Sequence, residues 1–203
     1  MIDALEKMNN LDKQNSASPA ESEKDLSGYA TWLFGYGSLI WKPEIPYIKA
    51  HPAKISGFVR RFWQGSEDHR GTPRAPGRVV TLVPKAHSQC CGIAYLVSDK
   101  EINKTFARLD HREKNGYKRL NIELILEPEQ ASERISMEGN VINGITYIAD
   151  EQNEAFLGNA STDEIAQQIF QSVGPSGSNI EYLLNLAEAL RRLNIADPHV
   201  FEL

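Results

Sequence analysis

The order of the secondary-structure signals constrains this chain more than any other feature of it. Most strand-like segments precede most helix-like ones, without the βαβ alternation that builds a doubly wound parallel sheet. Trp32-Leu33-Phe34 is a brief apolar run stopped by Gly35, which predicts a buried strand entering a tight loop. Phe58, Arg60, Phe62 and Gln64 alternate as a strand does. Val79 to Val83 and Gly92 to Val97 are rich in strand formers and predict two strands, separated by polar, proline-containing turn signals. Leu120, Ile122, Leu124 and Leu126 alternate with polar Asn121 and Glu123, and Val141 to Ala149 is a further apolar run. Helices start at Ser-x-x-Glu capping boxes: Ser98 with Glu101, Ser161 with Glu164, and Ser178 with Glu181. Ile102, Phe106 and Leu109 share a face of the first, and Leu183, Leu186, Leu190 and Leu193 a face of the last. The expected fold is α+β: a small mixed β-barrel or sheet with packed helices.

A chain of 203 residues with 41% hydrophobic content supports one sizeable core, so a single domain is expected over residues 31–203. Residues 1–30 are polar and offer too little apolar surface to offset ordering entropy; they read as a flexible N-terminal tail, with a short helix over Ile2 to Met8 as its one candidate element. A net charge of −5 argues against a backbone grip on nucleic acid. No apolar run approaches the roughly 20 residues that span a bilayer, and the first residues lack a secretory pattern, so a soluble cytoplasmic protein without membrane contact is expected. The only cysteines, Cys90 and Cys91, are adjacent; in a strand they point to opposite faces, which suits neither a disulfide nor a paired metal clamp. His51, His69, His87, His111 and His199 show no metal-ligand spacing. Neither a metal nor a cofactor is expected.

Three segments could carry chemistry. In Gly35-Tyr36-Gly37-Ser38-Leu39, two glycines would let the backbone take positive φ and expose successive N–H groups to a carboxylate or an oxyanion. This loop is no dinucleotide fingerprint, since Ile40 stands where its third glycine would be, and Ser38 lacks the Gly-x-Ser-x-Gly context of a hydrolase nucleophile. Glu113 lies just beyond the predicted first helix, where the negative end of the helix dipole and partial burial would raise its pKa toward useful base strength. Arg60, Arg61, Arg70, Arg74 and Arg78 cluster around Phe62 and Trp63, and the Gly/Pro-rich stretch from Gly71 to Gly77 reads as a long functional loop whose arginines could orient a small dianionic ligand.

Phe34 to Pro43, Arg61 to Ser66, Asp68 to Pro73 and Pro76 to Leu82 together resemble the ChaC family of glutathione-specific γ-glutamylcyclotransferases. The resemblance runs on in order through Arg112 to Tyr117, Thr146 to Ala149, Gly174 to Gly177 with Glu181-Tyr182-Leu183, and Asp197 to Val200, and covers about Trp32 to Leu203. It implies a small barrel-like α+β fold and cleavage of glutathione to 5-oxoproline and Cys-Gly without a cofactor. It further implies a catalytic Glu matching Glu113, and a γ-glutamyl-binding loop matching Tyr36, Gly37, Ser38 and Leu39. Arg70 and Arg78 are expected to bind substrate. Tyr147 is either a pocket hydroxyl or a core tyrosine. Whether the loop amides hold the α-carboxylate or the oxyanion stays open, as do two other readings: a cyclotransferase for other γ-glutamyl compounds and a silent γ-glutamyl-peptide binder.

Overall fold

The computed structural model of the protein describes residues 30–112, 116–127 and 141–203. Residues 1–29 of the expected tail, with its short helix, and Glu113 lie outside the described residues, while Ala30, the last residue of that tail, opens the first strand. The strands are β1 (Ala30–Gly35), β2 (Lys49–Ser66), β3 (Gly77–Ser98), β4 (Lys118–Leu126) and β5 (Val141–Ile148), with a small hairpin β6 (Val173–Gly174) and β7 (Gly177–Ser178). The helices are α1 (Asp99–Arg112), α2 (Thr162–Gln171), α3 (Asn179–Arg192) and α4 (Pro198–Glu202), and a 3-10 turn covers Ser38–Ile40. The five long strands close a barrel in the order β1-β3-β2-β4-β5. All pairs are antiparallel except β1 with β5, which makes the barrel mixed, as expected.

The framework is the β2–β3 ribbon, and here the structure departs from the sequence reading. Val79 to Val83 and Gly92 to Val97 belong to one strand, β3, rather than to two. The pairing steps from Ser56↔Gln89 to Phe58↔Pro84, so residues 85–88 of β3 bulge out opposite Gly57. Gly57 (φ 82) and His87 (φ 59) take the left-handed conformation that lets both strands bend there. The polar stretch after Pro84 thus marks an exposed bulge and not a strand end.

Period-two geometry sends neighbouring residues into different cores. Phe34 packs with Ile55, Phe62, Leu82 and Leu124 under Ile165 and Ile169 of α2 and Leu183, Leu186 and Leu190 of α3. Leu33 goes the other way, to Tyr95, Val97, Leu109 and Tyr147, a cluster covered by Ile102 and Phe106 of α1 and reached by Leu193. The capping signals act as read at Ser161, which exchanges bonds with Glu164 in a complete box. At α3 half the box forms: Ser178 Oγ accepts from the Glu181 N–H, but the Glu181 carboxylate is taken by Arg70.

The last helix fastens to the barrel through a histidine. His199 Nε2 accepts from the Phe62 N–H at 3.0 Å, which requires a ring nitrogen without a proton. Burial, helped by the nearby Arg61 charge, lowers its pKa to about 4. The unfolded ring titrates near the ordinary value of about 6.5 and binds its proton more readily. This contribution to stability is therefore complete above pH ~6.5 and is lost as the pH falls toward about 4. With a discount for the ring's partial exposure it amounts to about 1–2 kcal/mol. Melting curves recorded across that window should flatten in His199→Gln, whose side-chain oxygen still accepts but does not titrate; an unchanged slope would refute the assignment.

Candidate active site

β1 ends at Gly35, and the chain turns at once into the short 3-10 segment. Close approach requires a glycine at Gly35 and leaves little room for a side chain at Gly37. A Cβ on Gly35 would lie 2.7 Å from Leu39 Cβ, and one on Gly37 would lie 3.0 Å from Val80 Cγ2 and 3.1 Å from Tyr182 Oη. The expected positive φ does not occur: Gly37 has φ −123, and neither glycine is left-handed. The amides are presented by a helical first turn instead of a nest. Ile40 is the first residue to donate within the turn, to the Gly37 carbonyl, and Trp41 and Lys42 follow onto Ser38; the Gly37 to Leu39 amides precede that ladder.

Tyr36, Gly37, Ser38, Leu39, Arg70 and Tyr147 all line one cavity of about 430 Å³. Arg108, Leu109 and His111 line it too, as does Tyr117, so described residues on both sides of Glu113 in the sequence face the same space. Those flanks are anchored. Gly116 is left-handed at φ 85, where a Cβ would meet Asn153 Nδ2 at 2.6 Å, and the Tyr117 hydroxyl donates to the Val80 carbonyl at 3.1 Å.

On the other flank a polar cluster ties the end of α1 to the barrel. The Tyr147 hydroxyl donates to Asp110 Oδ1 at 2.7 Å and accepts from Arg119 Nε at 3.1 Å. The Arg119 guanidinium also pairs with the Asp110 carboxylate and lies 4.0 Å over the Phe106 ring. The hydrogen bond from Arg119, and then that from Tyr147, holds the Asp110 carboxyl below its ordinary pKa. Burial, and then the bond to Asp110, pushes the Tyr147 phenol up, so it stays protonated and donates. The Tyr36 hydroxyl donates to the Tyr147 carbonyl at 2.8 Å, which joins the glycine turn to the same cluster. Tyr147 is thus both a wall of the cavity and part of the clamp. Sequence reasoning missed Asp110 and Arg119, since a charged residue on a helix end and another at a strand start carry no local mark of their pairing.

The arginines divide. Arg70 faces the cavity; its Nη1 donates to the Ser178 carbonyl at 3.0 Å and to Glu181 Oε2 at 2.9 Å, and its guanidinium lies 5.9 Å from the Tyr182 ring centre. Arg78 is not among the lining residues. Its guanidinium is buried and donates to Gln168 Oε1 at 2.6 Å, the Phe62 carbonyl at 2.9 Å and the Gly158 carbonyl at 3.0 Å, bonds that tie β2, α2 and the segment around Gly158 together. Arg74 is exposed in a turn closed by paired Thr72 and Ala75 backbone bonds, and it does not line the cavity either. Among the described residues no group of three or more His, Cys, Asp or Glu could hold a metal ion, and no helix is long and apolar enough to cross a membrane.

This closed, mixed five-stranded barrel with helices packed outside has the fold of solved γ-glutamylcyclotransferase structures. The crystal structure of selenomethionine-labelled γ-glutamylcyclotransferase specific to glutathione from yeast superposes with a TM-score of 0.76 at 36% identity, covering 85% of this chain and 93% of that one. Residues 31–203 match the family model described as ChaC-like protein. "Gamma-glutamylcyclotransferase 2-3" of Arabidopsis thaliana is 40% identical over 178 residues, 86% of either chain. "Glutathione-specific gamma-glutamylcyclotransferase 1" of Danio rerio is 39% identical over 85% of this chain and 86% of its own. The chain belongs to the ChaC-like family.

Proposed function

We propose that this protein is a glutathione-specific γ-glutamylcyclotransferase that releases 5-oxoproline and Cys-Gly in the cavity beside the glycine turn, with Glu113 as the proton-transfer group. One observation carries the assignment of the site. The Tyr36 to Leu39 turn, Tyr147 and both sequence flanks of Glu113 line a single cavity of about 430 Å³, a size suited to a small molecule. The Danio rerio relative is named a glutathione-specific γ-glutamylcyclotransferase, and the Arabidopsis thaliana one a γ-glutamylcyclotransferase.

The substrate brings its own nucleophile. The α-amine of the γ-glutamyl group closes a five-membered lactam on the γ-carbonyl carbon, so the large effective molarity of an intramolecular attack needs no second substrate and no cofactor. The protein has to curl the chain, take a proton from the ammonium, stabilise the oxyanion and return a proton to the departing amine of Cys-Gly as the C–N bond breaks. Glu113 performs both transfers. The amides at the start of the turn bind the α-carboxylate or the oxyanion. The Tyr36 and Tyr147 hydroxyls already donate to the Tyr147 carbonyl and to Asp110, and the Tyr147 oxygen also accepts from Arg119, so they shape the wall rather than donate to the substrate.

Among the described residues two carboxylates line the cavity and could compete for the role of base. Glu44 pairs with Lys42 at 3.2 Å, and Asp68 lies 3.9 Å from His69 Nε2. The assay is 5-oxoproline release by the pure protein from a panel of γ-glutamyl compounds, with and without EDTA. Glutathione should be the preferred substrate and EDTA without effect. Turnover that Asp68→Asn or Glu44→Gln abolishes, and Glu113→Gln does not, would move the proton transfer to another carboxylate.

Of the two arginines that line the cavity, Arg70 and Arg108, Arg70 is assigned to the terminal carboxylate of Cys-Gly. Arg70→Ala should raise KM for glutathione about tenfold, the value of one charge-assisted bond, and spare γ-glutamyl compounds that lack that carboxylate. Arg74→Ala should change neither. Equal losses on both substrate types would assign Arg70 to holding Ser178 and Glu181 alone.

A further inference from the structure

The glycine turn is set from below by a residue that does not line the cavity. Arg60 projects inward from β2 and is 1% exposed. Its Nε donates to the Tyr36 carbonyl at 2.6 Å, its Nη2 to the Cys91 carbonyl on β3, and its Nη1 to Asp197 Oδ2 at 2.6 Å. Asp197 sits 137 residues further along and caps α4, its other oxygen accepting from the Val200 N–H at 3.3 Å. One guanidinium thus joins the turn, the β-ribbon and the C-terminal segment.

We propose that Arg60, held by Asp197, is the positioning residue of the substrate-binding turn and aims the Gly37 N–H at the substrate. In a planar trans peptide the C=O and N–H point in opposite directions, so an anchor on the Tyr36 carbonyl fixes the direction of the Gly37 N–H. Glycine has the widest backbone freedom of any residue, and Gly37 has no side chain through which neighbours could hold it, so the constraint has to come through the peptide itself. A cation on the carbonyl also polarises the amide and strengthens its N–H as a donor. Desolvating an arginine is costly, and an apolar side chain of similar volume would support a barrel as well or better. A planar fork with fixed donor directions, bonded to acceptors on separate elements, is what orienting a peptide requires. The inference rests on the cyclotransferase reading for its kinetic readout and on the structure alone for its spectroscopic one.

The test compares Arg60→Lys and Asp197→Asn with a core variant, Ile169→Val, for melting temperature, kcat and KM for glutathione, and the amide resonance of Gly37. Lysine keeps the charge but loses the fork, while asparagine keeps the shape but loses the charge. Arg60→Lys should lower kcat/KM by about tenfold or more, as for a misaimed oxyanion donor, with a shifted Gly37 amide. Asp197→Asn should move both quantities the same way by less, and Ile169→Val should lower melting alone. A fall in kcat assigns the turn to the oxyanion, and a rise in KM assigns it to the α-carboxylate; either supports the positioning role. The proposal is overturned if the Gly37 resonance stays in place, or if kinetic losses follow melting temperature equally in all three variants. Should Arg60→Lys not fold, the near-isosteric Asp197→Asn decides. If the wild-type protein releases no 5-oxoproline, the cyclotransferase reading fails, and the Gly37 resonance still judges the role of Arg60.

Discussion

Glu113→Gln should lower 5-oxoproline release from glutathione by at least about 10²–10⁴-fold, the usual worth of general acid–base catalysis, while glutathione still binds. The amide keeps the size of the side chain but cannot take the proton from the substrate ammonium, and without that step the amine has no lone pair for attack. The same residue serves the second transfer, to the leaving amine, so one substitution removes both. Two imidazoles also line the cavity: His69, whose Nδ1 lies 2.9 Å from Ser176 Oγ, and His111 at the end of α1. They supply the test of uniqueness. A folded Glu113→Gln protein, checked by circular dichroism and glutathione affinity, that retains activity within about tenfold of wild type would exclude Glu113 as the base and direct attention to His111.

Arg78→Met should destabilise the protein by about 1–3 kcal/mol for each buried acceptor it leaves without a donor, and lower its melting temperature by about 10 °C. The substitution leaves the carbonyls of Phe62 and Gly158 and the Gln168 side chain without their buried donor. Those acceptors lie on β2, after β5 and on α2, so the loss loosens α2 against the ribbon. The residue's main chain adds to the joint: its N–H donates to Asn179 Oδ1 at 2.6 Å, and the Asn179 amide donates back to the Arg78 carbonyl at 2.8 Å. Urea and thermal unfolding measure the effect. Unchanged melting with a raised KM for glutathione would restore Arg78 to the substrate site and overturn the scaffold role.

The contrast between Arg70 and Arg78 shows how far a linear reading reaches. Both belong to the same arginine-rich stretch, and nothing local separates them; one faces the cavity and the other is enclosed by α2 and the segment around Gly158. Arg60 is a sharper case. The alternation of Phe58, Arg60, Phe62 and Gln64 placed it correctly on a face shared with two inward residues, yet a charge in that register reads as a surface group until Asp197 is brought to it.

Local physics was legible in the sequence. The Ser161 capping box, the alternation from Leu120 to Leu126, the stop of β1 at Gly35 and the left-handed Gly116 after α1 each depend on residues a few positions apart, which a linear pattern records. The glycine turn was identified for its amides, although its glycines serve close packing against Leu39, Val80 and Tyr182 rather than positive φ. The tertiary structure alone decided that β3 runs unbroken through the bulge at 85–88, that β1 closes the barrel on β5 in parallel, and that Asp110 meets Arg119 and Tyr147. It also decided which buried arginine holds the turn and which holds α2. Those outcomes depend on partners tens of residues away, and a buried charge is stable only where such partners converge, so the residue type by itself could not place it.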